Sequence, residues 1–198
     1  MRYVRNKFSG ENDPTDAPGT PAETVVPVDL GLIWTSGDPS PCLLQSQDRA
    51  FLAFFLNVLD SSNDAATIGI IGWGNCHGAI LGSPNDEALA GHRLWEHGLR
   101  EVGFYNAGEV VNSRWIRHMA LVNSVHMYHN ASRFSGLRHF VLGFHDSTFE
   151  VVCDGFASYE TTDSRDSVIA LLAERILDGK PLGFDVVATD RDVPRPRA

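Results

Sequence analysis

Residues 138–153 decide the fold, and they read Arg138-His139-Phe140-Val141-Leu142-Gly143-Phe144-His145-Asp146-Ser147-Thr148-Phe149-Glu150-Val151-Val152-Cys153. Apolar side chains recur at every second position on both sides of the His-Asp-Ser triplet at 145–147. A period of two is typical of strands that bury one face, and Asp and Ser are common in turns. The stretch therefore predicts a β-hairpin that reverses at this triplet.

Other apolar runs, separated by Gly, Pro, Asn and Asp, predict further strands. These are residues 25–34, 42–45, 51–58, 67–73 and 76–81, the last two joined through Gly74-Asn75 as a second hairpin. Helical spacing of apolar residues and capping residues predict two main helices. One begins at Asn112 or Ser113 and ends near His126, and the other begins at Asp163 or Ser164 and ends at Gly179.

Strands that follow one another, rather than alternate with helices, favour the α+β class. We expect a mostly antiparallel sheet of about five to seven strands packed against the two main helices. The apolar residues lie mainly in residues 25–187, which we interpret as a single domain. Residues 1–24 are interpreted as a flexible N-terminal arm and residues 188–198 as a flexible proline-rich C-terminal tail, since both are poor in apolar side chains.

The composition excludes several classes of partner. The net charge of −9 argues against a nucleic-acid backbone and against an anionic membrane surface, because both attract clustered Lys and Arg. No apolar run is long enough to span a bilayer. The three cysteines are far apart in the chain, which predicts free thiols and therefore a cytoplasmic location. The composition is also compatible with a homo-oligomer.

The hairpin carries the first candidate site. His145 is the candidate general base, oriented by Glu150 or Asp146, because a carboxylate beside an imidazole fixes its tautomer. In a tight hairpin Glu150 would face Phe144 or Gly143 and lie diagonal to His145. The alternative is an ordinary turn with a His and a Glu on the surface.

Residues 83–98 carry the second candidate site. Asp86, Glu87 and His92 lie in a polar stretch bounded by glycines, and we expect them to complete a pocket with the hairpin. His92 and His97 are five residues apart, which does not place two metal ligands on one helical face. The alternative is a connecting loop without a function of its own.

These residue types predict a small enzyme that uses general acid–base chemistry on a small-molecule substrate, without a metal or another cofactor. No dinucleotide-binding or Walker motif is present. Two other interpretations stay open. The first is a non-catalytic binding module or accessory subunit, and the second is a metal or haem protein that uses some of the eight histidines.

Overall fold

The computed structural model describes residues 19–56 and 66–179. Strands in these residues are β1 (Thr24–Val28), β2 (Cys42–Gln45), β3 (Arg49–Phe55), β4 (Ile68–Gly74), β5 (Gly78–Gly82), β6 (Ala107–Val111), β7 (Arg138–Gly143), β8 (Thr148–Cys153) and β9 (Gly155–Thr161). The α-helices are α1 (Leu99–Val102), α2 (Arg114–Asn123), α3 (Ser132–Ser135) and α4 (Arg165–Asp178). Two 3-10 helices, Asp86–Gly91 and Trp95–His97, lie between β5 and α1.

The strands form two antiparallel sheets, which confirms the α+β class. One sheet has five strands in the order β1-β6-β7-β8-β5, and the other has four in the order β2-β3-β4-β9. The described residues therefore contain nine strands in two sheets, where the sequence predicted about five to seven. The strands that the sequence did not predict include β9. Most of its side chains are half-buried on both faces, so apolar and polar residues do not alternate clearly along it.

The core lies between the two sheets and is largely aromatic. Trp73 of the four-stranded sheet packs on Phe140 and Phe149 of the five-stranded sheet, with ring centroids 5.2 and 5.8 Å apart. Trp34 and Phe54 extend the same cluster to Phe144. Since every second residue of β7 enters this core, the intervening residues, including His139, are placed on the opposite face of the sheet.

Each sheet is covered on its outer face by a different element. Val168 and Leu172 of α4 pack on the four-stranded sheet. The chain between β5 and β6 folds back over the five-stranded sheet, where Leu89, Leu94 and Leu99 pack against Val141. Gly98 permits this close approach, because its φ of 108° is left-handed and a Cβ there would lie 2.4 Å from the Val25 carbonyl oxygen. The candidate site residues of this segment are thereby held against the sheet.

Both main helices are confirmed. Ser113 caps α2 by accepting a hydrogen bond from the Ile116 amide, and Ser164 caps α4 in the same way with the Ser167 amide. Gly179 ends α4 in a left-handed conformation. Helix α2 ends at Asn123, slightly earlier than predicted.

Two strand predictions are wrong. The predicted hairpin through Gly74-Asn75 does not form, because β5 pairs with β8 in the five-stranded sheet and β4 pairs with β3 and β9 in the other. The predicted strand 25–34 ends at Val28, and Trp34 makes only an isolated bridge to Leu56. A turn interrupts it, in which Gly31 has a φ of 72° and its amide donates to the Asp29 carboxylate.

The hairpin of residues 138–153 is confirmed, but its register differs from the predicted one. Gly143 pairs with Thr148, so four residues, 144–147, form the loop. This longer loop places Glu150 opposite Val141 rather than opposite Gly143 or Phe144. The predicted diagonal between Glu150 and His145 is therefore wrong, and His139 takes that position instead.

The domain limits remain predictions. Glu23 and Thr24, at the end of the predicted arm, belong to the fold, because Glu23 is buried and Thr24 begins β1. The rest of the arm up to residue 18, the end of the predicted strand 51–58 and the predicted tail 188–198 lie outside the described residues. No helix of the described residues is long and apolar enough to cross a membrane.

Candidate functional site

The five-stranded sheet carries two polar clusters. The sheet cluster consists of Glu150, His139, His92 and Arg93, and the turn cluster consists of His145, Asp86 and Tyr105. The first lies on the sheet itself beneath residues 86–103. The second lies at the hairpin turn. Both bring residues of the hairpin together with residues of the covering segment.

Glu150 is the centre of the sheet cluster. Its Oε2 accepts hydrogen bonds from His139 Nε2 at 2.9 Å and from the Arg93 guanidinium at 2.6 Å. His92 Nε2 lies 3.3 Å from Oε1. The register explains this convergence, because His139 and Glu150 are diagonal neighbours on one face of β7 and β8.

The pKa of Glu150 lies well below its ordinary value. Burial alone would raise it, but the hydrogen bonds from His139 and His92 and the charge of Arg93 outweigh that effect. Glu150 is therefore a carboxylate at neutral pH, and it accepts rather than donates in all three contacts. No group of three His, Cys, Asp or Glu side chains among the described residues is arranged to hold a metal ion.

The sheet cluster extends to the beginning of α2 and to residue 23. The Ser113 hydroxyl lies 2.8 Å from His139 Nδ1. Glu23 accepts from Arg93 at 2.9 Å and from the Arg114 amide, also at 2.9 Å. Ser113, His139 and Glu23 are all buried, and Trp115 covers His139 edge-on with the ring centroids 5.3 Å apart. These groups are thus shielded from solvent as the chain is folded here.

The turn cluster is more open. His145 Nδ1 lies 2.8 Å from Asp86 Oδ2, and the Tyr105 hydroxyl donates to the same oxygen at 2.7 Å. The Asp86 amide also donates to the His145 carbonyl at 2.9 Å, which joins the covering segment to the hairpin turn. The side chain of His145 is 44% exposed, so its ring reaches solvent while one nitrogen is held by the carboxylate.

These contacts shift three pKa values. The hydrogen bond to Asp86 raises the pKa of His145, and the charges of Asp86, Asp146 and Glu87 add to that shift. Hydrogen bonds from Tyr105 and His145 lower the pKa of Asp86. The hydrogen bond to Asp86 also raises the pKa of Tyr105. Asp86 is therefore ionised and favours the protonated form of its two partners.

The structure divides the six predicted site residues between the clusters. His145 and Asp86 are in direct contact in the turn cluster, and Asp146 and Glu87 are exposed and act on His145 through their charge. Glu150 and His92 are in the sheet cluster instead. The predicted orientation of His145 by Glu150 or Asp146 is therefore wrong, since Asp86 holds its Nδ1.

Sequence reasoning placed none of Tyr105, Arg93, Ser113 and Glu23 in a candidate site, although it named Ser113 as a possible helix cap. Each reaches its cluster from a distant part of the chain: Arg93 is 57 residues from Glu150, and Tyr105 is 19 from Asp86. One feature of the sequence could have indicated the sheet cluster. The alternation in residues 138–153 places His139 and Glu150 on the same face of the hairpin once the register is known.

All three thiols are free, and two of them are buried. Cys76 and Cys153 are buried, and burial raises the pKa of both, to about 12 for Cys153. A thiol with a raised pKa is a poor nucleophile.

A cavity of about 530 Å³ opens on the four-stranded sheet, away from the sheet that carries both clusters. Phe51, Phe156 and Tyr159 contribute aromatic side chains to its lining, and Asp48 and Arg49 contribute charged ones. None of the six predicted site residues lines it.

Comparison of the chain with protein-family models, with curated proteins and with solved structures finds no match.

Proposed function

We propose that the protein is a small enzyme that uses general acid–base chemistry on a small-molecule substrate at the turn cluster. The observation that carries the proposal is the pair His145 and Asp86, in which Nδ1 is held at 2.8 Å while the ring stays 44% exposed. In the neutral ring Nδ1 carries the proton and donates it to Asp86, so the lone pair of Nε2 is free to accept a proton from a substrate.

The remaining predicted residues have supporting roles in this proposal. Asp146 and Glu87 surround His145 with negative charge, which favours a neutral or cationic substrate over an anionic one. Tyr105 shares the Asp86 carboxylate and fixes its orientation. Glu150 and His92 hold the covering segment on the sheet and so position Asp86, which lies six residues before His92. The proposed chemistry uses no cofactor.

The proposal is tested with a benzisoxazole, a compound whose ring opens when a base removes its carbon-bound proton. We expect the wild-type protein to accelerate this reaction and His145→Gln to lose at least about tenfold, since general bases contribute roughly 10²–10⁴-fold. The rate should rise with pH through a pKa above the ordinary 6.5 of histidine, because the base must be neutral. His77→Gln is the matched control, an exposed histidine outside both clusters. Equal rates in the two variants would refute the proposal.

The proposal also includes a cytoplasmic location, no nucleic-acid partner and an assembly that is either a monomer or a homo-oligomer. Three free thiols and a net charge of −9 support the first two. Sedimentation velocity of the purified protein distinguishes the two assemblies.

A non-catalytic binding module is the second candidate, and the cavity on the four-stranded sheet favours it. Its volume of about 530 Å³ falls within the usual range of ligand sites, roughly 300–1,000 Å³. Ligand-observed NMR of a fragment library would decide between the candidates. Fragments whose binding is lost in Phe51→Ala but kept in His145→Gln would favour the module, and the reverse pattern would favour the enzyme.

A further inference from the structure

Ser113 lies where a strand ends and a helix begins. Strand β6 ends at Val111, Asn112 turns the chain with a φ of 55°, and Ser113 caps α2. Serine nucleophiles of many hydrolases occupy such a strand–turn–helix junction, although their Gly-x-Ser-x-Gly motif is absent here, with Val111 and Trp115 at the glycine positions. Ser113 therefore resembles those nucleophiles in backbone geometry only. To act as a nucleophile it also needs a base to accept its proton and a donor to stabilise the oxyanion.

The base is present and is itself oriented. Ser113 Oγ lies 2.8 Å from His139 Nδ1, and His139 Nε2 lies 2.9 Å from Glu150. Because Glu150 is ionised and accepts from Nε2, the neutral ring has an unprotonated Nδ1 that accepts the Ser113 proton. Serine, histidine and carboxylate thus form a continuous relay in which each group has the correct hydrogen-bonding role.

An anion already occupies the position next to this serine. The backbone amide of the residue after a serine nucleophile commonly stabilises the developing oxyanion. Here that residue is Arg114, and its amide donates to the Glu23 carboxylate at 2.9 Å. Arg93 lies on the other oxygen of Glu23 at 2.9 Å and also on Glu150. Glu23 is buried, so its carboxylate, and not a water molecule from bulk solvent, holds the Arg114 amide.

We propose that Ser113, His139 and Glu150 form a second, covered catalytic site for acyl transfer from carboxylic esters, and that Glu23 blocks it. The site is independent of His145. Residue 22 completes the cover, because the Asn112 side chain donates to the Ala22 carbonyl at 3.2 Å. Glu23 precedes β1, so residues 19–23 can leave while Thr24–Val28 stays paired with β6.

The chemical step balances within the relay. Ser113 Oγ forms a bond to the ester carbonyl carbon as its proton passes to His139 Nδ1, and Glu150 stabilises the resulting imidazolium. The carbon–oxygen bond to the alcohol then breaks, and the alcohol leaves with the proton from His139. Water attacks the acyl-enzyme, gives its proton to His139 and releases the acid, and the proton returns to Ser113.

The experiment uses a fluorophosphonate, which phosphonylates activated serines with loss of fluoride, and peptide mass spectrometry to find the modified residue. In the full-length chain, Glu23→Ala should label at Ser113 at least about tenfold faster than the wild type, and His139→Gln in the same background should abolish that gain. Ser124, an exposed serine at the other end of α2, is the internal control. Hydrolysis of p-nitrophenyl acetate by Glu23→Ala should be lost in Ser113→Ala and retained in Ser124→Ala. Because Ser113 is not part of the turn cluster, that loss separates this site from the turn cluster.

Equal labelling of Ser113 and Ser124 in Glu23→Ala would overturn the proposal. If that variant fails to fold, the wild-type protein still decides the question on long incubation. Brief withdrawal of residues 19–23 should then let the buried Ser113 be labelled before the exposed Ser124. Labelling of Ser124 first would refute an activated Ser113.

Discussion

The turn cluster and the sheet cluster contain the same pair of groups in different surroundings. In each, a histidine nitrogen meets a carboxylate, at 2.8 Å for His145 and Asp86 and at 2.9 Å for His139 and Glu150. The side chain of His145 is 44% exposed, whereas that of His139 is fully buried. One hairpin thus supplies a histidine that can exchange protons with solvent and another that is held within the fold.

The carboxylates of Glu150 and Asp86 are kept ionised in different surroundings. Burial raises the pKa of Glu150, but the hydrogen bonds from His139 and His92 and the charge of Arg93 outweigh that effect. Asp86 is stabilised mainly by the hydrogen bonds from Tyr105 and His145. A buried charge depends on all of its partners, so mutation should be costly at Glu150 and mild at Asp86.

The largest expected effect is that of Glu150→Gln on stability. The amide has nearly the same shape but no charge, and its NH2 group donates instead of accepting. His139, His92 and Arg93 therefore lose the negative charge and one of the two acceptor oxygens that they share. We expect a loss of about 3 kcal/mol in the free energy of unfolding and a melting temperature lower by roughly 10 °C. Denaturant titration and calorimetry measure both quantities.

The matched control for this prediction is Glu160→Gln, an exposed glutamate on β9. Its effect should be within about 0.5 kcal/mol. Equal stability of the two variants would mean that the sheet cluster contributes nothing to the fold, and the contrast between the clusters would disappear.

The next effect is the response to acid. The folded-state pKa of Glu150 lies below its ordinary value of 4.5, so its stabilisation is present above that pH and is lost as the pH falls below it. Between about pH 6 and pH 3 the wild-type protein should lose roughly 1–2 kcal/mol more than Glu150→Gln. Urea titrations at both pH values measure the difference. Parallel losses in the two proteins would contradict the assignment.

A smaller effect is expected on the titration of His145. Its pKa should exceed 6.5 and fall towards that value in Asp86→Asn, because the hydrogen bond to Asp86 is the main cause of the shift. The stabilisation from this pair is complete below 6.5 and is lost as the pH rises through the folded-state pKa. NMR titration of the ring protons follows it, with His77 as the internal reference. An unchanged His145 pKa in Asp86→Asn would remove Asp86 as its partner.

The smallest effect is on tyrosine ionisation. Hydrogen bonding to Asp86 raises the pKa of Tyr105, whereas burial raises that of Tyr159. Asp86→Asn should therefore lower the pKa of Tyr105 towards 10.0 and leave that of Tyr159 raised. Ultraviolet absorbance titration detects this, and Tyr105→Phe and Tyr159→Phe assign the two transitions. A simultaneous shift of both residues would indicate a general loosening of the fold instead.

The local features of the fold could be predicted because they depend on neighbouring residues. The hairpin, the two serine caps and Gly179 as a helix end all follow from patterns within a few positions. The partner of β5 could not be predicted, because alternation shows which face of a strand is buried and not which strand lies beside it. For the same reason the division into two sheets was missed.

The candidate site was predicted as a set of residues but not as a set of contacts. Asp86 and His145 do meet, although the expected partner of His145 was Glu150 or Asp146. A loop of four residues in the hairpin moved Glu150 to the diagonal of His139. One change of register was enough to exchange the partners. Moving the residue opposite Glu150 from Gly143 to Val141 keeps the same face of β7 and changes the diagonal neighbour of Glu150 from His145 to His139.

By itself the sequence determined which residues are apolar, where the two main helices and most of the strands begin, and that polar side chains gather near residues 83–98 and 145–150. The tertiary structure alone decided that residues 86–103 fold back over the five-stranded sheet, with Arg93 between Glu150 and Glu23. These contacts join residues 57 and 70 positions apart. Such long-range contacts form only when burial of the leucines on the sheet outweighs the entropy of closing those loops, and that balance belongs to the whole fold rather than to any stretch of it.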